Sequence, residues 1–85
     1  MPELSRFYGI VITMYADDHN PPHFHAEYNG RKALFNINDG EFIKGNLPKK
    51  EARLVLAWYE IYKDELFQNW NKLKTGQGFD KINPL

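Results

Sequence analysis

The fold of this chain is decided by the stretch His23-Phe24-His25-Ala26-Glu27-Tyr28-Asn29-Gly30-Arg31-Lys32-Ala33-Leu34-Phe35-Asn36. Asn29-Gly30 is the strongest short-range signal for a two-residue type I′ turn. The six residues before it alternate between polar and apolar side chains, as in a half-buried strand. The stretch therefore predicts an antiparallel hairpin.

The turn also predicts which residues of the hairpin face each other. The expected pairs are Tyr28 with Arg31, Glu27 with Lys32, Ala26 with Ala33, His25 with Leu34, Phe24 with Phe35, and His23 with Asn36. Matched pairs of this kind contribute roughly 0.2–1 kcal/mol each. One face of the hairpin is then expected to join the core through Phe24, Ala26 and Phe35. The opposite face carries His23, His25, Glu27, Leu34 and Asn36.

On either side of the hairpin the sequence predicts one further strand. Residues 7–15 are rich in β-branched and aromatic residues and predict a first strand. Residues 16–22 are expected to form a loop, because Pro21-Pro22 is incompatible with a central strand. Asn38-Asp39-Gly40 predicts a turn into a strand over residues 41–44, with two registers open: Ile37 opposite Phe42, or Phe35 opposite Ile43.

The second half of the chain reads as a helix. Asn46 is the expected N-cap, Pro48 suits the first turn, and Thr75-Gly76 ends the pattern. An apolar stripe at helical spacing supports this: Ala52, Val55, Tyr59, Tyr62, Leu66, Trp70 and Leu73. One long helix and a helix broken near Lys63-Asp64 both fit, and residues 79–85 are expected to be irregular or a short edge strand. The predicted fold is α+β, a four-stranded antiparallel meander (ββββα) packed against one long C-terminal helix, in a single domain over residues 1–85.

Composition excludes several classes of function. Lys+Arg and Asp+Glu balance at 11 each, so a general electrostatic attraction to nucleic acid is not implied. The longest apolar run, Ile10-Val11-Ile12, is too short to cross a membrane. The chain has no cysteine, and its N-terminus, from Met1 and Pro2 onward, does not resemble a signal peptide, so a cytoplasmic location is expected.

The three histidines, His19, His23 and His25, suggest two kinds of site. His23, His25 and Glu27 share one strand face and, with His19 from the loop, are the candidate ligands of a divalent metal such as zinc. Asp17 and Asp18 are also near enough in sequence to contribute. The same three histidines are alternatively the acid and base of a metal-free phosphodiester cleavage. The simplest alternative is a solvated sheet face without a site.

A second candidate site lies at the predicted helix start. Lys49, Lys50 and Arg53 stand where natural helices usually place acidic residues, and beside free backbone N–H groups they would hold a phosphate or nucleic acid. The alternative is a solvated face neutralised by Glu41 and Glu51.

Several stretches together resemble a family of small bacterial proteins known as domain of unknown function 4160. These stretches are Pro2 to Phe7, Asp18 to Tyr28, Leu47-Pro48-Lys49, Arg53 to Trp58, Glu65-Leu66 and Asn69-Trp70. The resemblance implies no settled activity. It implies membership of two-gene units in the manner of toxin–antitoxin pairs, which favours a protein partner or nucleic acid over a metabolic role.

Two functions are therefore expected as alternatives. The first is a small regulatory binding protein that acts through a protein partner or nucleic acid, with no membrane association. The second is a histidine-based, metal-dependent or metal-free RNase or phosphoesterase. The open edges of a small sheet predict a homodimer or a small protein partner, and the chain's aromatic content of 15% supports the same expectation.

Overall fold

A computed structural model describes residues 3–85; Met1 and Pro2 lie outside the described residues. An antiparallel sheet is followed by one helix, so the α+β prediction is confirmed, but the sheet has five strands, not four. Its strands lie side by side in chain order. The elements are β1 (Glu3–Phe7), β2 (Ile10–Thr13), β3 (His23–Tyr28), β4 (Arg31–Asn36), β5 (Phe42–Gly45) and α1 (Lys49–Lys74).

The additional strand arises from a tight turn at Tyr8-Gly9, so the single strand predicted over residues 7–15 is wrong. Tyr8 and Gly9 have φ of +50° and +78°, and Phe7 pairs with Ile10 across them. Positive φ at both central residues is the geometry of a type I′ turn. Tyr8 is an unusual residue for this conformation, and its aromatic side chain made the segment look like continuous strand.

The hairpin of β3 and β4 has the predicted register at all six pairs, from His23 with Asn36 to Tyr28 with Arg31. The next hairpin follows one of the two predicted registers only away from its loop. Leu34 pairs with Lys44 and Ala33 with Gly45, as the register with Phe35 opposite Ile43 implies. Next to the loop the register shifts by one residue, so that Phe35 pairs with Phe42 and the Asn36 amide donates to the carbonyl of Glu41.

The helix ends at Lys74, as predicted, but begins differently. Pro48, not Asn46, is the N-cap residue, and no side chain caps the first turn. The alternative of a break near Lys63-Asp64 corresponds to a kink at Tyr62, where the backbone leaves helical geometry (φ −112°, ψ 19°). Two helical stretches meet at this kink and together form α1. Within residues 3–85 no helix is both long and apolar enough to cross a membrane.

The core lies between the helix and the predicted face of the sheet. Phe24, Ala26 and Phe35 are fully buried, and the Phe24 ring lies 5.8 Å from that of Trp58 on α1. Residues 79–85 are irregular and run beside β1, where the Ile82 amide donates to the Leu4 carbonyl at 2.8 Å. The helix and this C-terminal segment therefore leave the opposite sheet face open.

Candidate metal centre

The loop between β2 and β3 places a carboxylate over the first residues of β3. Asp18 lies in a turn, and its backbone amide donates to the carbonyl of Tyr15 at 3.4 Å. At the other end of the loop, the Ile37 amide donates to the carbonyl of Pro22 at 2.9 Å. The loop thus has a turn of its own at Asp18 and is joined at its far end to Ile37, the residue directly after β4.

Three potential ligand atoms converge at this point. Asp18 Oδ2 lies 2.9 Å from His25 Nε2 and 3.1 Å from His23 Nε2. One ligand atom from each of the three residues lies within 4.8 Å of the other two. Residues two apart on a strand point to the same face, which explains why both rings meet the same carboxylate. We call these three residues the Asp18–His23–His25 cluster.

A hydrogen bond to the loop fixes the ring of His23. Its Nδ1–H donates to the carbonyl of Pro21 at 2.8 Å. A neutral imidazole has one N–H, so the Nε2 of a neutral His23 carries a lone pair directed into the cluster. Histidines that ligate metals usually donate their second ring nitrogen to a carbonyl or carboxylate in this way.

Aromatic and cationic groups enclose one side of the cluster. The ring centroids of Trp70 on α1 and His23 are 5.3 Å apart. Those of Tyr15 and His25 are 4.7 Å apart, in an edge-to-face arrangement. Lys74 covers Trp70 at 4.6 Å and donates to a loop carbonyl at 3.4 Å. The His23 side chain is 9% exposed, while those of His25 and Asp18 are 24% and 23% exposed. The cluster is therefore closed behind His23 and open beside the other two.

The donor set suits a zinc-type ion. Zinc binds imidazole nitrogen and carboxylate oxygen at about 2.0–2.2 Å, and in a tetrahedral site neighbouring ligand atoms are about 3.3 Å apart. Asp18 Oδ2 lies slightly closer than this to both Nε2 atoms, at 2.9 and 3.1 Å, and the three ligand atoms lie within 4.8 Å of one another. Binding would therefore require the side chains to rearrange around the ion. Three protein ligands with a partly open side leave a coordination position for water or a ligand.

The structure separates the predicted metal ligands. His23 and His25 lie in the cluster, whereas His19 is exposed on the loop and Glu27 is exposed further along β3. Asp18 is the residue that folds over the strand in their place. The acidic pair Asp17-Asp18 before the histidines was the available signal, but nothing in the sequence shows which way the Pro21-Pro22 loop turns. Trp70 and Lys74 have no sequence signal connecting them to the histidines.

The predicted anion site at the helix start is a separate feature. Lys49, Lys50 and Arg53 are all exposed on the first turns of α1. Among the described residues, they belong neither to the cluster nor to the two grooves of the open sheet face.

One groove of the open face reaches the cluster through His25. It has a volume of about 460 Å³, and its lining includes Tyr15, His25, Leu34, Lys32 and Lys44. We call it the His25 groove. A second groove, of about 380 Å³, lies beyond Thr13 and Glu27, next to Glu3 and Arg6. There Arg6 donates to Glu3 at 2.7 Å, and this hydrogen bond holds the pKa of the Glu3 carboxyl below its usual range.

The comparisons with known proteins identify a family but no activity. A family model described as Domain of unknown function (DUF4160) matches residues 9–71. The matched residues make up well over half of the chain, so the protein belongs to this family. They include the whole Asp18–His23–His25 cluster but not the resembling stretch from Pro2 to Phe7. No curated protein and no solved structure matches the chain.

Proposed function

We propose that the Asp18–His23–His25 cluster binds a divalent transition metal ion, zinc in the first instance, and that the domain is a small metal-dependent hydrolase. The observation that carries the proposal is the convergence of both Nε2 atoms on Asp18 Oδ2, at 2.9 and 3.1 Å. The Pro21 carbonyl supports it, because it accepts from the other nitrogen of His23 and leaves Nε2 directed at the ion.

The partial exposure of the cluster favours a catalytic over a purely structural ion. Structural zinc sites have four protein ligands and are closed, whereas catalytic sites have three and keep a position for water. An ion in such a site would lower the pKa of a bound water to about 7 and so would supply a nucleophile at neutral pH. The protein's own contribution is to hold the ligands and to shield His23 with Trp70.

Titration of the chelator-treated protein with zinc tests the metal site on which this function depends. We expect stoichiometric binding by calorimetry, no saturable binding by the His23→Ala, His25→Ala double variant, and binding weakened by more than roughly tenfold in Asp18→Asn. Binding should weaken below neutral pH, because both imidazoles must be unprotonated to ligate. Elemental analysis of protein purified without added metal provides the second measurement.

His19→Ala and Glu27→Gln are the matched controls, since both residues are exposed and lie outside the cluster. Both variants should bind zinc like the parent protein. Failure of the parent to bind zinc, cobalt or manganese would overturn the proposal. The cluster would then be a hydrogen-bonded brace for the loop, and Asp18→Asn would lower the melting temperature equally with and without metal.

A second candidate function is association through the free edge of the sheet. In β5, Phe42 and Ile43 are 44% and 43% exposed, although large apolar side chains usually avoid an open strand edge. We propose that a second copy of the chain pairs with this edge. A dimer of this kind is compatible with the regulatory, toxin–antitoxin-like role that the family resemblance implies.

A further inference from the structure

We propose that the His25 groove is a binding site for a small phosphate ester, held with its phosphate group toward Lys32 and Lys44. This inference rests on the proposed function in one respect: a metal bound in the cluster would lie beside the groove, because His25 belongs to both. The binding itself depends on the groove alone. The family resemblance implies no substrate, so a phosphate ester in this groove is a new assignment of substrate class.

Two lysines give the groove its preference for anions. Leu34 pairs with Lys44 across β4 and β5, so Lys32, two residues before Leu34, is the diagonal neighbour of Lys44 on the same face. Diagonal neighbours lie roughly 7–8 Å apart, a separation that two flexible ammonium groups can bridge around one phosphate. Among residues 3–85, neither lysine forms a salt bridge.

The carboxylate of Glu27 reduces the positive charge of the groove and gives the two lysines unequal surroundings. Glu27 lies directly opposite Lys32 and also lines the groove. Lys32 is therefore partly neutralised, whereas no acidic residue is paired with Lys44 on its strand. The groove keeps an excess of one positive charge from its own lysines and Glu27, and Lys44 should contribute the larger share of phosphate binding.

The remaining walls suit an organic group rather than a free inorganic ion. Tyr15 and Leu34 supply apolar surface beside the lysines, and Thr13 supplies a hydroxyl. A volume of about 460 Å³ lies within the usual range of small-ligand sites, roughly 300–1,000 Å³. A nucleoside monophosphate is of a size that fits, with its base against Tyr15 and Leu34 and its phosphate between the lysines.

Titration of the metal-free, isotope-labelled protein with adenosine monophosphate tests the proposal by NMR. We expect saturable shifts of the amides of β3, β4 and β5 around the groove, and weaker or no shifts with adenosine. Lys44→Gln should weaken binding by roughly tenfold, the effect of removing one charge-assisted hydrogen bond, and Lys32→Gln by less. Lys50→Gln is the matched control, an exposed lysine outside the groove that should leave binding unchanged.

The possible results separate this proposal from the proposed metal centre. Absence of saturable shifts up to tens of millimolar, or shifts confined to the amides around Lys49, Lys50 and Arg53, would overturn the groove proposal even if zinc binds. Equal shifts with adenosine would also overturn it, since the phosphate would then contribute nothing. Saturable binding by a chain that fails to bind zinc would support the groove and overturn the metal centre alone.

Discussion

Gly45 closes the end of β5 against β4, and the approach of the two backbones leaves no room for a side chain. Its φ is +72°, a conformation that L-residues other than glycine seldom adopt. A Cβ built at this position would overlap the carbonyl oxygen of Lys32, a backbone atom that cannot swing aside. Gly45 also lines the His25 groove.

Gly45→Ala should therefore lower the free energy of unfolding by roughly 2–4 kcal/mol, as the sum of backbone strain and overpacking. Gly30→Ala is the matched control, because Gly30 has φ of +78° but nothing within 4 Å of an added Cβ. It should cost about 1 kcal/mol from strain alone. Urea denaturation of both variants measures the difference, and equal losses would contradict the overlap with Lys32.

The sequence predicted that His23 and His25 share one face of a strand, but it did not predict which carboxylate they meet. His23 and His25 follow from strand alternation once Asn29-Gly30 is recognised as a turn. Asp18 does not, because its position depends on the path of a proline-containing loop that no periodicity describes. Contacts made through a distant element, such as Trp70 against His23, require the tertiary structure itself.

Helix α1 is attached to the sheet by a buried hydrogen bond as well as by apolar packing. The hydroxyl of Tyr59 donates to the carbonyl of Ile37 at 2.6 Å, and both residues are almost fully buried. This contact joins the half of the helix before the kink to the loop after β4. Lys63, just after the kink, donates to the next carbonyl of that loop, that of Asn38, at 3.0 Å.

Tyr59→Phe should lower the free energy of unfolding by about 1–2 kcal/mol, because it leaves the buried carbonyl of Ile37 without its donor. Tyr8→Phe serves as the control, since the Tyr8 side chain is 67% exposed and its change should fall within about 0.5 kcal/mol. Thermal or urea unfolding of both variants gives the comparison. A neutral Tyr59→Phe would mean that water satisfies the carbonyl equally well.

Strands and helix ends were predicted correctly where the sequence has a strong turn or stop signal, and wrongly where it has none. Asn29-Gly30 fixed the register of β3 and β4, and Thr75-Gly76 marked the end of α1. The turn at Tyr8-Gly9 was missed because a tyrosine with positive φ carries no turn signal of its own. The register of β4 and β5 depends on a loop and a strand irregularity that alternation does not encode.

For the whole molecule, the proposed dimer predicts a measurable change in mass. Light scattering coupled to gel filtration should give twice the chain mass of 10.0 kDa at micromolar concentration. Ile43→Lys should give the monomer, because in an antiparallel pair centred on Ile43 it places two like charges face to face. Leu56→Lys is the control, a change at an exposed apolar residue of the helix. A parent protein that is monomeric at all concentrations would overturn the dimer.

The irregular C-terminal segment limits how such assembly can grow. Its Ile82 amide already uses the Leu4 carbonyl on the outer strand, and Trp58 anchors it by donating to the Asn83 carbonyl at 2.8 Å. A sheet with two unpaired edge strands can add copies at both edges and form a fibre. A sheet with one unpaired edge strand is complete after one addition. If copies of the chain pair through β5 as proposed, residues 79–85 would oppose further pairing at the β1 edge, and edge-to-edge assembly would stop at the pair.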